Sequence, residues 1–152
     1  MAPMSKEKRD VSACILNNKY VYAIGGYDGQ VYLNDICKYT ITSDSWETMV
    51  LSKTASNAKL TPRDGALSFQ IDPSCILIAG GIGNDGFLKD CYIFDTVKNG
   101  LKSINNNLPY EDWFVRPSTI IADNCLYAVG LVNDYIYKYD IEDGEWTDIH
   151  DF

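Results

Sequence analysis

A chain of 152 residues with 46% hydrophobic, 22% charged and 12% aromatic side chains has the make-up of one globular domain with a core of its own. Its net charge of −8 repels phosphate backbones, so nucleic acid is not expected as a partner. No apolar run approaches a membrane span, and the opening "MAPMSKEKRD" has no apolar stretch behind it, so neither a membrane anchor nor a secretory leader is expected.

Five cysteines (Cys14, Cys37, Cys75, Cys91 and Cys125) stand apart, with no CxxC spacing and no N-x-S/T sequon in the chain. An odd, scattered set of this kind predicts reduced thiols and a cytoplasmic setting.

In chain order, the first element is a charged tail at residues 1–8. Four strands are then predicted at residues 11–16, 20–24, 35–41 and 46–49. The second of them, "YVYAI", closes in Gly25-Gly26, and Tyr39 and Trp46 follow downstream. The same order returns twice. "CILIA" closes in Gly80-Gly81, with Phe94 and Leu101 beyond, and "CLYAV" closes in Gly130-Leu131, with Tyr139 and Trp146 beyond. Each aromatic pair, or its Phe-Leu variant, is spaced by seven positions. An arginine opens each unit, at Arg9, Arg63 and Arg116, which lie 16, 17 and 14 residues before the first glycine (25−9, 80−63, 130−116). The chain therefore divides into repeats at residues 9–62, 63–115 and 116–152.

The runs before the glycines are short and apolar on both alternating faces, as strands covered on both sides must be. The connections are rich in Gly, Asn and Asp, the residues of tight antiparallel turns. No amphipathic helix is evident. The prediction is an all-β protein of three four-stranded antiparallel sheets that pack face to face as β-propeller blades.

An apolar run ending in a double glycine, followed by a separated Tyr and Trp, resembles the kelch repeat. The first unit matches nearly throughout, including "LND" at residues 33–35. The second has Phe94 and Leu101 at the aromatic positions, and in the third Leu131 stands where the second glycine is expected. The resemblance implies a rigid scaffold that presents loops to a protein partner of unknown identity, with no catalysis and no cofactor. The partner-binding residues it implies are Tyr27, Asp28, Gln30 and Tyr32 in the first unit and Asn84, Asp85 and Phe87 in the second. The connection "NNNLPYEDWF" adds Tyr110, Trp113 and Phe114. Arg63 and Arg116 are expected near the central channel, either gripping acidic ligands or pairing with the chain's own carboxylates and carbonyls. Trp113 and Phe114 have a second reading, as a cluster tucked under the rim.

The rival functional class is a propeller enzyme of the sugar isomerase or lyase type, which needs a polar pocket and a base of raised pKa at the channel mouth. A copper site built on histidines is not expected, because the chain has one histidine, His150. By the resemblance, complete kelch rings have about six blades, so three units make an open arc with an apolar sheet face at each end. The expected remedies are a pair of copies around a two-fold axis or further blades from a longer chain, with the first unit's outer face left bare.

Overall fold

The computed structural model describes residues 2–52, 58–114 and 119–149. Three four-stranded antiparallel sheets carry the fold. The first runs β1 (Ser12–Leu16), β2 (Tyr20–Ile24), β3 (Ile36–Thr40) and β4 (Ser45–Thr48), in that order. The second contains β5 (Leu67–Gln70), β6 (Cys75–Ala79), β9 (Cys91–Asp95) and β10 (Gly100–Ile104). A two-stranded ribbon of β7 (Ile82–Gly83) and β8 (Gly86–Phe87) interrupts it between β6 and β9. The third runs β11 (Thr119–Ala122), β12 (Cys125–Val129), β13 (Ile136–Asp140) and β14 (Glu145–Ile149). The protein is all-β, its sheets are propeller blades, and the ring is not closed.

Turn chemistry explains the meanders. Asn17 and Asn18 between β1 and β2, and Asp123 and Asn124 between β11 and β12, all take positive φ. Asn and Asp tolerate that region because their short polar side chains bond locally. Asp44, Asn99 and Gly144 take it in the outer turns.

Strand period then sorts the core. In β6, Ile76 and Ile78 face the first sheet while Leu77 and Ala79 face the third, and all four are fully buried. The first interface joins Cys14, Leu16, Tyr22, Ile24 and Ile36 to Ile76, Ile78, Phe94 and Leu101. The second joins Leu67, Leu77, Ala79 and Cys91 to Leu126, Ala128, Tyr137 and Tyr139, with Trp146 packed against them. In both, the later sheet uses the face that carries its aromatic pair or Phe-Leu variant. Each fully buried aliphatic side chain contributes about 1.5–3 kcal/mol, which makes these two seams the main source of stability. At the inner edge β1 lies beside β5, where Ser12 Oγ and Ser68 Oγ bond at 2.7 Å.

The first sheet points its pair, Tyr39 and Trp46, away from the second sheet, with ring centroids 5.1 Å apart. That face is not bare as expected. Residues 2–8 lie across part of it: the Ala2 amide donates to Asp44 at 2.7 Å, and Trp46 Nε1 donates to the Ala2 carbonyl at 3.1 Å.

The double glycines receive the chain that links one sheet to the next. Gly26 N donates to the Arg63 carbonyl and Gly81 N to the Asp112 carbonyl, both at 2.8 Å. Gly25 sits at φ +62, and a Cβ there would overlap the Arg63 carbonyl oxygen. We expect Gly25→Ala to destabilise the fold by roughly 2–4 kcal/mol, because strain at positive φ adds to a steric conflict with fixed backbone. Urea denaturation with unchanged m-value is the measurement.

Candidate interaction surface

The loops after β2, β6 and β12 gather at one end of the sheets, tied there by the incoming connections. Bridges pair Arg9 with Tyr27, Asp64 with Ile82 and Leu88 with Asp112. The first loop is braced from within. Asp28 Oδ1 accepts from the Gln30 amide at 3.0 Å and the Val31 amide at 2.9 Å, which holds its carboxyl below the usual range. Tyr27 and Tyr32 pack ring to ring at 5.2 Å, and the Arg9 guanidinium lies 5.1 Å over Tyr27. Asp28 and Gln30 remain exposed beside a groove of about 490 Å³ lined by residues that include Glu7, Arg9, Tyr27 and Asp28.

In the second sheet, Asn84 and Asp85 form the exposed tip of the β7–β8 ribbon, and Phe87 is 38% exposed. Tyr110 is 43% exposed and stacks at 4.9 Å on Tyr135 of the third loop. Trp113 is half-buried, its indole laid so closely on Gly65 that a Cβ there would overlap the ring.

Phe114 and Arg63 lie inside, as the second reading of each has it. Phe114 is 2% exposed and packs edge-on against Tyr137 in the second seam, its amide bonded to the Gly65 carbonyl. Arg63 is fully buried. Its Nε donates to the Thr61 carbonyl at 2.9 Å, Nη1 to the Gly80 carbonyl at 2.8 Å and Nη2 to Asp90 Oδ1 at 2.7 Å, with Tyr92 beneath the guanidinium. Thr61 and Tyr92 hydroxyls donate to the other Asp90 oxygen, both at 2.8 Å. These bonds commit the pair to partners within the chain. Arg116 lies outside the described residues, as does His150.

The structure also corrects the register of the opening arginines. The bridge partners place Arg9 level with Asp64, which makes Lys8 the counterpart of Arg63. Lys8 is accordingly the buried cation, with Nζ 3.0 Å from both oxygens of Asp35, while the Arg9 side chain is largely exposed. In the third unit Leu131 N bonds to the Trp113 carbonyl as Tyr27 N does to Arg9 and Ile82 N to Asp64. Leu131 thus takes the place of the residue after the glycine pair, and the second glycine is missing rather than replaced. The counterpart of Lys8 and Arg63 is then Asp112, not Arg116. Asp112 is buried, accepts the Tyr137 hydroxyl at 2.7 Å and the amides of Trp113 and Val132, and reverses the charge of the clamp. Burial and the Asp112 carboxylate push the Tyr137 hydroxyl well above its ordinary pKa.

Asp64, next to Arg63, was not anticipated. Burial, and next the charge of Asp10, raise its carboxyl to about 6, against the pull of Arg9 and Trp113. Its Oδ1 and the Trp113 Nε1 are both buried without a well-formed hydrogen bond. Lys8, Asp90 and Asp112 were missed as well. The legible signal was spacing: Lys8 to Gly25 and Arg63 to Gly80 both span 17 residues (25−8, 80−63). Among the described residues no group of three or more His, Cys, Asp or Glu side chains is placed to hold a metal ion. All five cysteines are free, and burial pushes Cys14 up to about 11 and Cys91 up to about 12.

Comparison with known proteins agrees with this geometry. Residues 9–50, spanning the first sheet, match the kelch motif. Kelch-like protein 35 of Mus musculus is 24% identical over 132 residues, which is 86% of this chain and 21% of that protein. The chain thus spans about a fifth of the length of the curated relative it matches. The matched motif lies in the first sheet, and the second and third sheets repeat its strand order and register.

Two outcomes follow. Arg63→Ala leaves the partly buried Asp90 without its cation and should cost about 3 kcal/mol in chemical denaturation, the lower end for a broken buried pair. Asp64 behaves oppositely. Its folded pKa, about 6, lies above the ordinary 3.8, so the folded chain keeps a proton the unfolded chain has lost, and stability falls as pH rises through that window. Asp64→Asn should melt roughly 2–8 °C above wild type at pH 7.5, with the difference closing near pH 4.

Proposed function

We propose that this chain is a protein-interaction module that binds a protein partner through the loop end of its sheets, without catalysis and without a cofactor. The observation that carries this reading is the way the loops are built. They spend their polar groups on bracing themselves, as Asp28 does, and turn aromatic and polar tips outward on a rigid scaffold. Partly exposed aromatic side chains held rigid lose little entropy on contact, and such residues dominate interface energies. Tyr27, Tyr32, Phe87 and Tyr110, with Asp28, Gln30, Asn84 and Asp85 around them, form the proposed contact surface. Trp113 supports it from behind. The kelch motif and the kelch-like relative support an interaction role, and the five free thiols suit the reducing cytoplasm as its setting.

Among the described residues, the group that a catalytic reading would use is Asp64, whose pKa approaches neutrality. Its carboxyl is enclosed beneath Trp113 rather than turned toward the loop-end groove, and this favours the binding role.

The triple variant Tyr32→Ala, Phe87→Ala, Tyr110→Ala tests the reading. Immobilised wild-type chain should retain a partner from cell extract that the variant retains at least tenfold less, with circular dichroism unchanged. Equal retention by the two would refute the loop-end surface.

A further inference from the structure

Both seams inside the chain are made in one way. An aromatic-pair face of the later sheet covers the opposite face of the earlier one. Two sheet faces are left without such a mate, and they are the two kinds that mate elsewhere.

The third sheet leaves open the face that carries Ile120, Tyr127, Val129 and Ile136. Pairing register sets Ile120 opposite Tyr127 and Val129 opposite Ile136. The corresponding pairs are Cys14 with Tyr22 and Ile24 with Ile36 in the first sheet, and Phe69 with Leu77 and Ala79 with Cys91 in the second. Those two sets belong to the two core clusters. In the third sheet Ile120 is 67% exposed and Val129 is 49% exposed. Positions that are covered twice within the chain stand in water here, on apolar side chains.

The complementary face is that of the first sheet, with Val21, Ala23, Tyr39 and Trp46. Residues 2–8 occupy part of it. Met4 and Ser5 line a small cavity with Cys37, Trp46 and Thr48, and the Ala2 backbone is held at Asp44 and Trp46. The far end is pinned more firmly, by Lys8 buried against Asp35. Residues 2–7 are therefore held by a few contacts at an exposed rim and can lift without breaking the Lys8 clamp.

We propose that the open face of the third sheet docks on the Tyr39–Trp46 face of a second copy of this chain, and that residues 2–7 are a strap which must leave for docking to occur. The interface is head to tail: two different faces of one chain meet, as at the internal seams. The two docking faces contain none of the proposed loop-end contact residues, so it stands or falls apart from the function proposed above.

The experiment is sedimentation equilibrium on three chains: wild type, a deletion of residues 2–7, and the surface pair Ile120→Lys, Val129→Lys. The deletion should lower the concentration of half-association at least tenfold, with mass rising from 17.1 kDa toward twice that value. The lysine pair, placed on exposed positions and so expected to fold, should abolish association in the full chain and in the deletion. Association that survives the lysine pair would overturn the proposal. So would a deletion no more associated than wild type. If the deletion does not fold, a full chain that stays monomeric at its highest soluble concentration overturns it, and a dimer lost in the lysine pair upholds it.

Discussion

Strands apolar on both faces set the terms for everything else in this molecule. A sheet built from "YVYAI" or "CILIA" cannot rest one side in water, so it must sit between two neighbours. The second sheet meets that demand completely, with Ile76 and Ile78 sealed on one side and Leu77 and Ala79 on the other. The first and third meet it on one side only. Stability is thus concentrated in two seams, and the outermost faces become the places where the chain has interactions left to make.

Stacking alone would leave the sheets free to slide, and polar contacts at the loop end prevent it. The segment entering each sheet carries a buried charged residue beside the glycine turn. Lys8 meets Asp35, Arg63 meets Asp90, and Asp112 meets the Tyr137 hydroxyl. A buried charge is tolerated only with its hydrogen bonds filled, so these clamps fix one geometry for each turn rather than adding much net stability. The third clamp shows what the position demands. When Tyr135 stands where Asp35 and Asp90 stand, the partner at the cation position is a carboxylate, and satisfaction is recovered with the charge reversed. A missing glycine and a reversed clamp occur together in that unit, where the Asp112 carboxylate fills the space a Cβ at Gly130 would need.

Much of the fold was legible because its signals are local and periodic. Alternation located the strands to within a residue in the first sheet, helped by Asn17, Asn18, Gly25 and Asp44, which take positive φ in the turns beside strand ends. The aromatic pairs were legible as packing residues for the same reason. The kelch resemblance pointed to the loop residues Asp28, Gln30, Asn84 and Asp85, and they are exposed. The errors came where contacts join residues far apart in the chain. For Arg63 and Phe114 the sequence leaves a surface and a buried reading open, and only the approach of Gly80, Asp90 and Tyr137 decides for the buried one. The arginine alignment failed by one residue in the first unit because Lys and Arg both serve as the cation, so matching the letter displaced the position. Asp64 gave no sequence signal at all, since its burial depends on Trp113 folding back over Gly65 from 48 residues away (113−65).

The tail at residues 2–8 carries the most instructive mismatch. Its composition is that of a solvated segment, with Lys6, Glu7 and Lys8 in sequence, and nothing periodic argues for order. What orders it is the face beneath. Trp46 brings an indole N–H that needs an acceptor, and no neighbouring sheet supplies one there, so the Ala2 carbonyl does. At the other unit with a tryptophan in its aromatic pair the same atom, Trp146 Nε1, is buried at the second seam without a hydrogen bond among the described residues. A donor left unsatisfied inside a seam costs more than one met at a rim, so packing area, not hydrogen bonding, holds the aromatic pair in place between sheets. Where packing is withheld, as on the first sheet, the same pair settles for a polar contact with whatever chain is at hand.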